Sequence, residues 1–115
     1  ILEKNSIKLY FKKLKEQLQN AQLFKGKIKD YNIIATFANY AISEVAHLLI
    51  KRHNADIGIV VNPTTKMVSF RRSKESTVDV SALAKTLCNG GGTPAAGGGA
   101  LTDQFTNLTK TFTSC

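Results

Sequence analysis

The start of the chain places apolar side chains at the spacing of one helical face. We predict a helix over residues 2–21, with an apolar stripe that consists of Ile7, Tyr10, Phe11, Leu14, Leu18 and Ala21. Lysines occupy a neighbouring face, about a right angle away at roughly 100° per residue. They are Lys4, Lys8, Lys12 and Lys15. This lysine face is either a solvated flank whose stems cover the edge of the core, or a strip that guides a phosphate chain.

The middle of the chain alternates between strand and helix patterns. β-branched and aromatic residues at 32–38 predict a strand, and Ser43 is a candidate N-cap for the helix that follows. Residues 57–61 form a predicted buried strand. Turn residues at 62–65 connect it to a second strand at 67–72, so we expect a hairpin.

Two further elements complete the predicted domain. Asp79 is a candidate N-cap for a helix, and Phe105, Leu108 and Phe112 are expected to dock a final helix or strand. The alternation predicts an α/β fold: a single small domain with a mixed sheet of about four or five strands flanked by helices. We divide the chain into a connector helix at residues 1–25 and the domain proper at residues 26–115.

Glycine is concentrated in one stretch, because six of the eight glycines lie within residues 90–99. A flexible linker explains glycine, but not its position between a capped helix and an apolar segment. We therefore favour a binding loop over a linker, with exposed backbone N–H groups that form a concave anion site. The spacing matches neither a dinucleotide fingerprint nor a Walker loop.

The net charge of +8 is concentrated near the start of the chain. Residues 1–29 hold eight lysines against two glutamates, whereas residues 30–115 hold eight basic groups against six acidic ones. The domain as a whole is therefore not a cationic clamp, and its composition alone does not assign a nucleic-acid partner. Apolar runs are far shorter than the roughly 20 residues of a membrane-spanning helix, so we expect no membrane partner.

Two cysteines, Cys88 and Cys115, give no disulfide framework, which favours a reducing, cytoplasmic setting. No secretory leader is visible. Because the chain begins at Ile1 rather than at methionine, we expect it to be a piece of a longer protein.

Side chains suited to metal binding or acid–base catalysis are scattered. The aspartates occur singly, and His47 and His53 lie in or at the end of a predicted helix, where an ordinary surface role is expected. No nucleophile elbow is present. We predict no catalytic residue, no metal site and no cofactor in this chain.

Three ordered motifs carry a family resemblance. Residues 68–71 (VSFR), 78–81 (VDVS) and 90–98 (GGGTPAAGG) together resemble the substrate-binding domain associated with the DHH phosphoesterase core. Relatives of that domain occur in RecJ single-strand exonucleases, oligoribonucleases, cyclic-dinucleotide phosphodiesterases and alanyl-tRNA synthetases. The resemblance extends over roughly residues 30–101.

The resemblance implies a set of residues that face the nucleotide or phosphate end of a substrate. The set consists of Ser69, Arg71, Arg72, Gly90, Gly91, Gly92, Thr93, Ala96, Gly97 and Gly98. Arginine suits this role because its planar fork holds phosphate oxygens in pairs. Whether Arg71 or Arg72 points at the substrate stays open. Thr93 stands where the phosphoesterases carry histidine, so transition-state assistance from this position is expected to be weakened or absent.

The resemblance also implies partners. We expect single-stranded nucleic acid or a nucleotide as ligand, and a DHH catalytic domain elsewhere in the parent enzyme that carries manganese or magnesium ions. Thr93 and the near-neutral charge of residues 30–115 instead favour a protein-interaction domain that has lost substrate chemistry. A tRNA-binding module of the alanyl-tRNA synthetase type is a third alternative.

Overall fold

One mixed β-sheet organises the chain, and helices pack on both of its faces. The computed structural model describes the backbone of residues 2–19 and 21–115, and the side chains of Leu9 and of residues 12–19 and 21–115. Within these ranges there are four helices: α1 (Leu2–Gln19), α2 (Ile42–His53), α3 (Val80–Cys88) and α4 (Asp103–Thr109). The strands are β1 (Leu23–Ile28), β2 (Tyr31–Phe37), β3 (Ile57–Asn62), β4 (Met67–Arg72), β5 (Gly91–Thr93), β6 (Ala96–Ala100) and β7 (Thr113–Ser114).

The strand order is β5-β6-β4-β3-β2-β1-β7. Only β2 and β3 pair in parallel among the described strands, and α2 provides the crossover between them. The other neighbouring pairs are antiparallel. The predicted α/β class with a mixed sheet is therefore confirmed.

The described sheet has seven strands rather than the four or five predicted. Of the strands not predicted, β5, β6 and β7 are short or rich in glycine, and β1 is rich in lysine and interrupted by Gly26, so none has a β-branched run that signals a strand. Gly26, placed by the sequence at the start of the domain proper, lies inside β1, where a Cβ atom would overlap the Phe112 ring. Residues 23–25 accordingly belong to β1, and the N-terminal helix ends at Gln19 rather than near residue 25.

Each face of the sheet buries its own apolar cluster. On the α3 face, strand residues such as Ile59 and Phe70 pack with Val80 of α3 and Phe105 of α4. On the α2 face, a second cluster contains Ile34, Val45, Leu49, Val60 and, from α1, Leu14. Successive side chains of a strand point to opposite faces, so these two clusters determine the face on which each of the remaining strand residues lies.

The α1 helix fits its predicted amphipathic pattern where its side chains are described. Leu14 is buried, Leu18 is half-buried, and Lys12 and Lys15 are exposed. The side chains of the other predicted stripe and lysine residues within 2–11 lie outside the described ones. None of the helices in the described ranges combines the length and apolar character needed to cross a membrane.

The two predicted helix caps have different outcomes. Asp79 is the N-cap of α3, and its carboxylate accepts hydrogen bonds from the backbone N–H of Ser81 (3.0 Å) and Ala82 (3.3 Å). The Ser81 hydroxyl also donates to this carboxylate, and this bond contributes most to lowering the pKa of Asp79. The prediction for Ser43 is wrong, because α2 begins after Ala41, a left-handed residue with no side-chain cap.

The glycine-rich segment is a β-hairpin that lies flat against α3. Gly97 lies close to the α3 backbone, and a Cβ atom at this residue would be 2.9 Å from the Val80 carbonyl oxygen. A Cβ atom on Gly99 would overlap the Cys88 carbonyl. Gly91 is different, because nothing lies within 4 Å of its Cβ position.

We predict that Gly99→Ala destabilises the domain and that Gly91→Ala does not. The added methyl at residue 99 forces β6 away from α3, an overpacking cost of about 1–3 kcal/mol. Urea unfolding followed by circular dichroism measures both free energies. Equal stability of Gly99→Ala and the parent protein would contradict the close packing of β6 on α3.

Cys88 lies under this hairpin and its side chain is fully buried, whereas Cys115 is exposed. Burial raises the pKa of the Cys88 thiol to about 11. Because the thiolate is the reactive form, Cys88 is protected by both protonation and access.

We expect a disulfide reagent such as DTNB to modify one thiol rapidly at pH 8, and the second only after unfolding. A Cys115→Ser variant should lose the rapid phase and keep the slow one. Two thiols that react at the same rate in the folded protein would show that the hairpin does not cover Cys88.

Candidate functional site

The sheet extends beyond α2, and this leaves part of its α2 face uncovered. The uncovered residues belong to β4, β6 and β5, and strand alternation places them on one side; we call this surface the open face. It consists of Met67, Ser69, Arg71, Ala96, Gly98, Ala100, Gly91 and Thr93. All of these residues are exposed or half-buried. The register Ser69↔Gly98↔Gly91 forms its central row.

Arg71 provides the positive charge of the open face. Its Nη1 donates to the carbonyl oxygens of Phe70 (2.9 Å) and Gly97 (3.3 Å), and its Nε donates to Ser43 Oγ (3.4 Å). These bonds hold the guanidinium beside the central row. Among the described residues, its Nη2 has no hydrogen-bond partner and no carboxylate pairs with it. A fixed arginine with donors still available is suited to a phosphate or carboxylate oxygen.

Packing accounts for four of the six glycines in the hairpin. Gly97 and Gly99 lie against α3, while Cβ atoms on Gly90 and Gly92 would overlap the backbone of β6. Gly92 also has a φ of 140°, which L side chains rarely adopt.

The other two glycines, Gly91 and Gly98, are register partners on the open face. A Cβ atom at Gly98 would make only a close contact with the Val68 carbonyl oxygen at 3.1 Å, and one at Gly91 would meet nothing. Both positions leave bare backbone on the face that carries Arg71, and at Gly91 packing does not require glycine.

The expected loop conformation of residues 90–98 is wrong, because β5 and β6 pair as a hairpin. Much of the backbone that was expected to form an anion nest is engaged in strand pairing. The Thr93 hydroxyl accepts a hydrogen bond from Ala96 N–H at 3.2 Å and approaches the Ala96 carbonyl oxygen at 3.4 Å. Thr93 thus closes the hairpin turn.

The two arginines of β4 lie on opposite faces. Arg72 Nη1 donates to the Val78 carbonyl oxygen at 3.0 Å on the α3 face, near the start of α3. The backbone N–H of Arg72 donates to Ala95 O at 3.3 Å. Arg71 therefore lies on the same face as Gly91 and Gly98. Arg72 instead fixes the segment before α3 through its bond to Val78 O.

Of the remaining residues implied by the resemblance, the structure brings Ser69, Thr93, Ala96, Gly91 and Gly98 together with Arg71. Gly97 faces α3, Gly92 lies against the backbone of β6, and Gly90 precedes β5.

Sequence reasoning missed two residues of this surface. Ser43 was assigned to a helix cap, but α2 carries it across the sheet to Arg71, 28 residues away in sequence. No local pattern signals that contact. Met67 is 48% exposed and shares its face with Ser69 and Arg71, and the period-2 alternation of β4 is the signal that identifies it.

The open face supplies hydrogen-bond donors rather than reactive groups. Arg71, Ser43 and Ser69 can bind and orient an anion through their N–H and O–H groups. In the described part of the chain, no three His, Cys, Asp or Glu side chains converge. These residues therefore do not fit the manganese or magnesium ions that the resemblance places on a catalytic domain.

Comparisons with known proteins give similarity in fold. No family model matches the chain, and no curated protein matches it. An uncharacterized protein from Helicobacter pylori G27 aligns with a TM-score of 0.57 and 28% identity, over 66% of this chain and 21% of that one. The pGpG-specific phosphodiesterase PggH from Vibrio cholerae aligns with a TM-score of 0.56 and 18% identity, over 93% of this chain and 39% of that one.

The chain thus spans about a fifth and about two fifths of the lengths of these two proteins. Membership of the DHH family stays a prediction. What the comparisons establish is that nearly the whole chain has the fold of one part of a larger phosphodiesterase.

Proposed function

We propose that this domain binds the phosphate end of a nucleotide or of a short single-stranded nucleic acid on its open face. In the parent protein it would serve as the substrate-binding domain of a DHH-type phosphoesterase. The observation that carries the proposal is the position of the Arg71 guanidinium, which donates to Gly97 O on the face where Gly91 and Gly98 leave bare backbone.

Three donors are available to a phosphate group. Arg71 Nη2 has no partner among the described residues, and Ser43 Oγ accepts from Arg71 Nε, so the Ser43 hydroxyl proton is still available to donate. Ser69 lies in the central row between Arg71 and Met67, in register with Gly98. Hydrogen bonds to a charged phosphate contribute about 1.5–3 kcal/mol each.

Bare backbone beside these donors permits close approach. A sugar–phosphate group can lie directly on the strands at Gly91 and Gly98, because no Cβ atom lifts it away from Arg71. Larger residues at these positions would place a side chain between the ligand and the guanidinium.

The proposed role is recognition and not bond cleavage. Thr93, which stands at the position of the family histidine, has its hydroxyl engaged in the hairpin turn. Hydrolysis of a phosphodiester would depend on the catalytic domain and its metal ions elsewhere in the parent protein. The fold shared with part of a pGpG-specific phosphodiesterase is in keeping with a short nucleotide ligand.

We predict that Arg71→Met lowers the affinity for a 5′-phosphorylated dinucleotide about tenfold to a hundredfold, the loss of one charged hydrogen-bonding group. Arg71→Lys should recover only part of this affinity, because an ammonium group lacks the planar fork. Isothermal titration calorimetry at two salt concentrations measures the effect.

Arg72→Met is the matched control, since it removes an equal charge from the other face of the same strand. It should lower thermal stability through loss of the bond to Val78 O and leave the dinucleotide affinity nearly unchanged. Equal losses of affinity in the two variants would mean that only net charge matters.

We also predict that Gly91→Val preserves the fold and weakens dinucleotide binding. The Cβ position is open, with nothing within 4 Å, so the isopropyl group projects onto the open face. Backbone amide shifts mapped by NMR should center on residues 67–71 and 91–98 in the parent protein. Shifts confined to the lysines of α1, lost at high salt, would overturn the proposal and favour the protein-interaction alternative.

A further inference from the structure

An exposed methionine lies on the open face next to the proposed phosphate site. Met67 begins β4, and alternation places it on the same side as Ser69 and Arg71. Its side chain is 48% exposed. Phe37 and Leu101, also exposed and apolar, line a cavity with Phe105 on the α3 face, so they do not share this surface.

The cross-strand neighbours of Met67 carry no charge. Its register partners on the two neighbouring strands are Ala100 and Asn62. The adjacent row contains Gly98 and Ser69, so no bulky side chain separates Met67 from the bare backbone. Met67 and Ala100 therefore form an apolar patch two strands wide, and the polar side chain of Asn62 borders it on β3.

The distance between the two ends of the open face suits a nucleoside. The Arg71 guanidinium bends over the carbonyl oxygens of Phe70 and Gly97, beside the central row. Phe70 and Gly97 form one row, and Met67 lies three residues further, about 10 Å along the strand at 3.4 Å per residue. A phosphate at Arg71 would thus place a ribose over Ser69 and Gly98, and its base over Met67.

We propose that Met67, with Ala100 beside it, forms the platform on which the nucleobase packs, so that the ligand is a nucleoside phosphate rather than a phosphate group alone. This inference rests on the proposed function. A thioether packs favourably against aromatic rings, and its flexible side chain adapts to rings of different shape. The platform therefore contributes affinity with little selection among bases.

The experiment compares AMP with ribose 5-phosphate, which has the same phosphate and sugar but no base. We expect the parent domain to bind AMP about threefold to tenfold more tightly, the range typical of a thioether contact with an aromatic ring. Met67→Thr should remove this difference while leaving the affinity for ribose 5-phosphate unchanged. Met67→Leu should retain most of it, because the apolar volume is kept.

Leu101→Thr is the matched control, an equivalent exposed apolar residue on the other face, and it should keep the preference for AMP. The platform proposal is overturned if ribose 5-phosphate binds as tightly as AMP, or if the preference for AMP survives Met67→Thr. Either result would leave the proposed phosphate site in place. If neither ligand binds at millimolar concentration while the variants remain folded, the proposed function fails, and the platform fails with it.

Discussion

The close approach of β6 to α3 determines the geometry of the whole candidate site. Gly97 and Gly99 allow this strand to lie directly on the helix backbone at Val80 and Cys88. Once these two residues face α3, strand alternation turns Gly98 to the opposite side. Pairing with β5 then brings Gly91 beside it. The bare surface next to Arg71 is therefore a direct consequence of how the hairpin packs on its other side.

Because of the same alternation, neighbouring residues of β4 lie on opposite faces, one in the core and the next on the open face. Val68 and Phe70 complete the core on the α3 face, and Arg72 holds the chain before α3. Met67 and Arg71 lie on the open face, where no packing role accounts for the exposed methionine or for the available donors of the arginine. A strand with one buried face can thus present a binding surface without weakening the core.

The proposed function connects these features to one ligand. A nucleoside phosphate needs positive charge and donors at one end, an unobstructed surface in the middle, and an apolar contact at the other end. Arg71, Gly98 and Met67 provide these in order along the open face.

Much of the fold follows from local sequence pattern. Hydrophobic periodicity predicts α1, α2, α3 and the strands β2, β3 and β4. Asp79 can be identified as a cap because it bonds to the backbone N–H groups of residues only two and three positions later in the chain. The concentration of glycine at residues 90–99 and the presence of an arginine in the preceding strand are also evident from the sequence. These features depend on neighbours close in the chain.

Only the tertiary structure distinguishes Arg71 from Arg72, separates Gly91 and Gly98 from the glycines needed for packing, and brings Ser43 to the site. It also shows that β1, β5, β6 and β7 are strands, since their short or glycine-containing sequences become ordered only by pairing with partners distant in the chain. The sequence by itself determined the α/β class and the elements with a regular hydrophobic pattern, because these depend on residue identity and short-range spacing. The face on which each residue lies was decided by strand register and helix packing, which join residues that the sequence keeps far apart.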